Sequence, residues 1–125
     1  MKNLEILEKK INSELTTKIN SSSINHNHIY LNIDEEDLLD VIIFLKTNSE
    51  TKFKQLIDIT AVDYPEKEMR FKLVYLFLSH ENNKRIKVDF FIKENNSVTS
   101  ITSIFPSANW MEREVFDMYG INFKN

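Results

Sequence analysis

The sequence contains no cysteine, one glycine and two prolines in 125 residues. Without cysteine the chain forms no disulfide and supplies neither a thiolate zinc site nor a cysteine-held iron–sulfur cluster. One glycine is too few for the glycine-rich loop that cradles phosphates, so NAD is not expected to bind in the usual way. A basic excess is missing too: the net charge is −3, which gives no electrostatic reason to expect nucleic acid. No apolar run approaches the length of a membrane span; Val41–Leu45 is only five residues. The opening residues, Met1-Lys2-Asn3-Leu4-Glu5, have neither an apolar signal core nor an Arg-rich transit pattern.

What remains is ordinary for a soluble globular chain: 42% hydrophobic and 28% charged residues, enough for one domain over 1–125 with a core of its own. Leu4, Leu7, Ile11 and Leu15 recur at helical spacing and predict an amphipathic first helix. Lys18–Ile24 is polar and serine-rich, a weak edge strand, and Asn25–Asn27 turns it into the alternating strand Ile29, Leu31, Ile33. Asp34 reads as the N-cap of a second helix running to about Lys46, with Glu35, Glu36 and Asp37 at its positive end. That helix is apolar over more than half its circumference and should be mostly buried.

Leu56–Val62 has apolar residues on both faces and predicts a central strand. Phe71–Ser79 and Arg85–Ile92 follow as strands joined by a hairpin at His80–Lys84, and Val98–Phe105 is a short strand or irregular link. Pro106 breaks the link before a last helix. The order α-β-β-α-β-β-β-α predicts an α+β fold, a two-layer sandwich whose mixed sheet carries its helices on one face.

The stretch that carries that last helix, Asn109–Phe123, is the most informative. It holds the only tryptophan and the only glycine. At about 100° per residue, Met111, Val115, Met118 and Tyr119 share one face, and Arg113 and Asp117 point the opposite way. Trp110 and Phe116 fall beside the charges, and bulky aromatics on a charged side predict a face covered by other protein. Asn109 with Glu112 has the form of a capping box, although Ser107 or the Pro106 turn would serve as a start equally well. Gly120 is the natural stop, because a positive φ just past a helix costs glycine little. Ile121 and Phe123 then alternate like the start of an extended segment.

Several side chains bear on chemistry. Glu112 and Glu114 lie about 160° apart on a helix and cannot flank one substrate as a glycosidase pair does. Glu114 and Asp117 share a face, and Arg113 with Asp117 has the i, i+4 spacing of an ion pair. A solvated charged face competes with an interface for these residues; Trp110 and Phe116 favour the interface. His26 and His28 offer two ligands but no third, whereas zinc takes three or four from protein. Asp58 and Asp63 flank a strand end and need partners if buried, with Arg70 the first internal candidate.

Trp110-Met111-Glu112-Arg113-Glu114-Val115-Phe116-Asp117-Met118-Tyr119-Gly120-Ile121 closely resembles the signature of the thirty-kilodalton subunit family of respiratory complex I, a component of the bacterial proton-pumping NADH:quinone oxidoreductase. The family pattern is Glu-Arg-Glu, two residues, an acid, two apolar or aromatic residues, then Gly-Ile. Leu56-Ile57-Asp58-Ile59-Thr60-Ala61-Val62-Asp63-Tyr64-Pro65 is similar to a second family motif, and the resemblance covers roughly Leu56 to Phe123. Family members run on into a basic, His-Pro-containing segment and a proline-rich tail that wraps a partner. This sequence stops at Asn125, as a fragment or a shortened version would.

The resemblance implies a non-catalytic subunit of the hydrophilic arm that buttresses its neighbours, chiefly the forty-nine-kilodalton-class quinone-site subunit. Flavin, iron–sulfur clusters and quinone would sit on partner subunits, with no cofactor in this chain and no activity from it alone. It further implies a peripheral location, on the cytoplasmic side of a bacterial inner membrane or the matrix side in a mitochondrion. Trp110, Glu112, Arg113, Glu114, Phe116, Asp117 and Gly120 would form the partner interface. Two other expectations stand beside this one: the equivalent subunit of a related hydrogenase or quinone-reducing complex, and a small stand-alone carboxylate enzyme with a pocket lined by Glu114 and Asp117.

Overall fold

A computed structural model of the protein describes residues 2–124. The elements are α1 (Lys2–Glu14), β1 (Ser21–Asn25), β2 (His28–Asn32), α2 (Leu38–Thr47), β3 (Gln55–Asp63), β4 (Phe71–Ser79), β5 (Lys84–Ile92), β6 (Val98–Thr99), α3 (Ala108–Tyr119) and β7 (Phe123–Lys124). Five strands form one sheet in the order β1-β2-β5-β4-β3, and β6 and β7 form a separate two-stranded pair. The large sheet is mixed, because β2 runs parallel to β5 while the other neighbours are antiparallel. The expected α+β sandwich and its element order are therefore the observed ones, with the two-residue strands β6 and β7 added on either side of the last helix.

Alternation along the strands decides which face is covered. Ile29 and Leu31 of β2, Phe71, Leu73, Tyr75 and Phe77 of β4, and Ile86, Val88 and Phe90 of β5 all point to one side. There they join Leu4, Leu7 and Ile11 of α1 and Leu38, Val41, Ile42 and Leu45 of α2 in a single buried core. Tyr75 stacks on Phe77 and Phe90 at ring distances of 6.4 and 5.7 Å, and Phe77 meets Phe105 at 5.2 Å. Burying such side chains is worth roughly 1.5–3 kcal/mol each, so this face fixes the fold. The β1–β2 turn takes positive φ at both His26 (52°) and Asn27 (67°), the backbone that a two-residue hairpin with right-handed twist requires.

Three local expectations are corrected. The strand at 56–62 lies at the sheet edge, not its centre. A bulge between Leu56 and Asp58 shifts the register, so Leu56, Ile59 and Ala61 all point inward while Asp58, Thr60 and Val62 face solvent. The extra residue breaks the two-residue period and makes a one-sided strand read as two-sided. Asp34 forms no side-chain cap; a 3-10 turn (Glu35–Asp37) intervenes before α2, and the Asp34 carboxylate accepts a bond from Asn20 Nδ2 at 3.0 Å instead. In α2, Ile43 is 44% exposed, so its buried stripe is narrower than composition implied.

Arg70 finds Asp63 rather than Asp58. Its guanidinium donates two bonds to that carboxylate, at 2.7 and 2.9 Å, and reaches Glu94 at 3.2 Å. Asp58 lies in solvent and accepts the backbone N–H of Ile59. The Asp63–Arg70 fork ties the two ends of the β3–β4 connection to the exit of β5, beside the C-terminal end of α3, where Phe71 meets Tyr119 edge-on at 6.1 Å.

Candidate functional site

The α3 helix packs against the edge strand β3. Its buried positions are Ala108, Glu112 and Val115, with Met111 and Tyr119 partly covered. This 3.6-residue stripe is rotated around the helix by roughly 40° from the apolar stripe expected from sequence, because Glu112 belongs to it and Met118 does not. Met118 is 74% exposed and Glu112 only 5%.

Glu112 is thus removed from the expected interface, and the capping box is not formed. Ser107 precedes the helix with no side-chain cap bond. The Glu112 carboxylate instead accepts the backbone N–H of Ile101 and the hydroxyl of Ser100, both at 2.8 Å. Burial pushes this carboxyl above its ordinary range, and the two donors pull it back. Beneath it lies Tyr75, fully buried, whose phenol is pushed well above its ordinary value by burial and then by Glu112 and Glu35. The Tyr75 hydroxyl has no partner among the described residues.

Glu112 is one of several clamps on the link between β5 and α3. Glu35 accepts the N–H and hydroxyl of Thr99 at 3.1 and 3.3 Å. Lys46 donates to the carbonyl of Ile104 at 2.6 Å and lies 4.9 Å above the Phe105 ring. Val98 and Ser100 donate backbone bonds to Asn122 and Lys124 across the β6–β7 pair. The signal for this in the sequence is the run of serines and threonines from Ser97 to Ser103, a row of donors for the carboxylates at 35 and 112.

The helix ends at Gly120, which takes φ 72° and ψ 16°, while its N–H bonds to the carbonyl of Phe116 at 2.8 Å. Nothing lies within 4 Å of where a Cβ would stand. Backbone conformation, rather than crowding, is what calls for glycine here. Ile121 then returns to the core and is 3% exposed.

The outer face of α3 is the part left free. Arg113, Glu114 and Asp117 are exposed, and the i, i+4 pair of Arg113 with Asp117 is not formed; among the described residues none of the three makes an ion pair. On the helix wheel Arg113 and Asp117 sit between Phe116 and Trp110, with Glu114 beyond. Trp110 is 68% exposed and Phe116 48%. Charges without partners, bracketed by aromatic rings, suit recognition of a complementary surface better than solvation alone. A shallow groove of about 460 Å³ runs beside this face, lined by Arg113, Phe116 and Asp117 but not by Glu114, so the pocket required by a Glu114–Asp117 enzyme is not what the helix builds.

The other sequence candidates lie elsewhere. His26 occupies the β1–β2 turn and His28 begins β2. Among the described residues, three or more potential ligands converge only at Asp34, Glu36 and Asp37, and there Asp34 holds Asn20 and Asp37 lies 3.8 Å from Lys18. His80 is exposed and bonds to Gln55. No described helix is long and apolar enough to cross a membrane.

Known proteins share both the sequence and the fold. The profile of the family described as "Respiratory-chain NADH dehydrogenase, 30 Kd subunit" matches residues 31–125, starting well upstream of Leu56. A subunit of the NADH-quinone oxidoreductase of Ruegeria pomeroyi is 53% identical over 95 residues, 74% of this chain and 48% of that protein. Its counterpart in Dinoroseobacter shibae is 48% identical over 82% of this chain and 48% of its own length. The counterpart in Rhodospirillum rubrum is 38% identical over 98% of this chain and 58% of its own length. The chain therefore spans about half the length of the curated relatives it matches. A chain in the membrane-bound sulfane sulfur reductase, an archaeal respiratory membrane complex, has the same fold, with a TM-score of 0.85 and 22% identity over 97% of this chain and 70% of that one.

Proposed function

Because the chain belongs to the respiratory-chain NADH dehydrogenase 30 kDa subunit family, we propose that it is a non-catalytic structural subunit of the peripheral arm of a proton-translocating NADH:quinone oxidoreductase. Its task is to hold partner subunits in fixed relative positions, so that electron-transfer distances between their cofactors are kept. The partner assigned to α3 is the quinone-site subunit, and the reaction, flavin, clusters and quinone belong to neighbouring chains.

The observation that carries this reading is the division of α3. Its inner side is locked by Glu112 to the Ser100–Ile101 backbone, while its outer side presents Trp110, Arg113, Phe116 and Asp117 unspent. A rigid base with rigid aromatic anchors loses little conformational entropy on binding. Such a face suits the positioning of a partner.

Co-expression of the full chain with the large quinone-site subunit of a relative tests it. The expected result is a stable co-purifying complex, with the chain alone inactive in NADH:quinone turnover. Turnover by the isolated chain, or no complex under conditions where both partners are folded, would overturn it.

A further inference from the structure

The helices cover one face of the five-stranded sheet; the other face carries no helix among the described residues, and along β4 its side chains are not those of a solvated strand. A half-exposed antiparallel strand normally alternates apolar inward with polar outward. On β4 the outward positions after Lys72 are Val74, Leu76 and Leu78, each only part-exposed. On β3 the neighbours of Leu76 and Val74 are the exposed Asp58 and Thr60, with Val62, 41% exposed, opposite Lys72. The register places Leu76 against Lys87 and Leu78 against Arg85 on β5, and those two against Tyr30 and His28 on β2. An apolar strip along β4 thus adjoins a basic-aromatic region on β5 and β2 across one continuous surface.

Two of the three cations in this basic region have no ion-pair partner among the described residues. Lys72 reaches Asp89 at 3.9 Å, and Asp89 also accepts a bond from Asn32. Arg85 and Lys87, two residues apart on the same strand face, have no ion-pair partner among the described residues. Lys87 lies 5.4 Å above the Tyr30 ring, and His28 Nδ1, buried beside them, has no hydrogen-bond partner among the described residues. This local positive sign stands out on a chain of net charge −3. With strands about 4.8 Å apart, the face measures roughly 500 Å², more than half of the roughly 800 Å² that one partner contributes to an interface of standard size.

We infer that this uncovered sheet face is a second docking surface, taken in the assembled complex by a neighbouring subunit whose contact is apolar opposite Val74, Leu76 and Leu78 and carries carboxylates opposite Arg85 and Lys87. It lies on the opposite side of the sheet from α3, so the domain is held between two partner surfaces instead of hanging from one. The inference rests on the chain being a subunit, not on which residues of α3 make the other contact. A protein surface fits better than a lipid or nucleic-acid backbone, because the β4 strip of the face is aliphatic and only its β5–β2 side is basic.

The test compares acylation of Lys87 by an N-hydroxysuccinimide ester, read by peptide mass spectrometry, in the tagged full chain alone and in the assembled hydrophilic arm. Lys87 is expected to react at least about tenfold more slowly in the assembly, and the Arg85→Glu, Lys87→Glu variant to lose a partner subunit at unchanged melting temperature while Lys87→Arg retains it. A photo-cross-linker placed at Thr60, an exposed position on this face, should label a protein subunit; labelling only lipid or nucleic acid overturns the proposal. Equal Lys87 reactivity in an assembled complex overturns the second surface and leaves the subunit reading standing. Failure of any complex to assemble overturns both.

Discussion

The carboxylate of Glu112 and the backbone N–H of Ile101 meet at 2.8 Å in a buried setting, joining the middle of α3 to the link that leads into it. Through that bond the most distinctive part of the sequence is divided into an inner fastening and an outer surface. Glu112 sits in the Glu-Arg-Glu triplet with Arg113 and Glu114, yet the first member turns inward and the other two outward.

Removing the acceptor should therefore cost more than removing the charge. Glu112→Ala leaves the Ile101 N–H buried and unpaired, at an expected cost of about 1–3 kcal/mol. Glu112→Gln keeps an acceptor for Ile101 and should be nearly neutral at pH 7. Chemical denaturation of both variants checks this; equal losses would show that the charge itself is required.

The wild type and the glutamine variant should also differ in their response to pH. The Glu112 carboxyl is raised on folding, so its contribution is present below the unfolded value, about 4.3, and is lost as pH rises through the folded value. The stability of wild type relative to Glu112→Gln should accordingly fall between acid and neutral pH. A difference that is flat with pH would contradict the burial argument.

Asp63 should behave in the opposite sense. The bonds from Arg70 hold its carboxyl below the ordinary range, so its contribution is present above the unfolded value, about 3.9, and disappears as pH falls through the folded one. Asp63→Asn should be less stable than wild type near neutrality and converge with it in acid, as followed by denaturant midpoints. The pair is part-exposed, so added salt should shrink the gap.

Much of this architecture is legible from periodicity. The Phe71–Ser79 strand, the β4–β5 hairpin and the Leu4-Leu7-Ile11-Leu15 stripe lie where alternation and helical spacing put them. The errors in β3 and α3 share one physical origin, since a single sequence does not display register or long-range pairing. The bulge after Leu56 disguises an edge strand as a central one. On α3, charge reads as a mark of exposure, whereas Glu112 is buried because Ser100 and Ile101 supply its donors from a link that no local pattern connects to it. The Asp63–Arg70 fork is half-visible: burial logic identifies the arginine, and the strand pairing selects which aspartate it meets.

Gly120 gives a cleaner backbone test. With φ at 72° and open space around the missing Cβ, Gly120→Ala should cost about 1 kcal/mol and Gly120→Val about 1–3 kcal/mol, from strain alone. Thermal unfolding of the two variants checks the order. Equal stability of wild type and the valine variant would mean that the turn relaxes without cost.

The outer face of α3 exists, on this account, to be gripped by a neighbouring subunit. The most direct test is the Kd of the full chain for the quinone-site subunit, measured for wild type, Trp110→Ala and the Arg113→Ala, Asp117→Ala double variant at matched folding stability. Exposed residues such as these should leave stability within about 0.5 kcal/mol of wild type, while binding weakens at least about tenfold, equivalent to about 1.4 kcal/mol. Unchanged Kd in both variants would contradict the account.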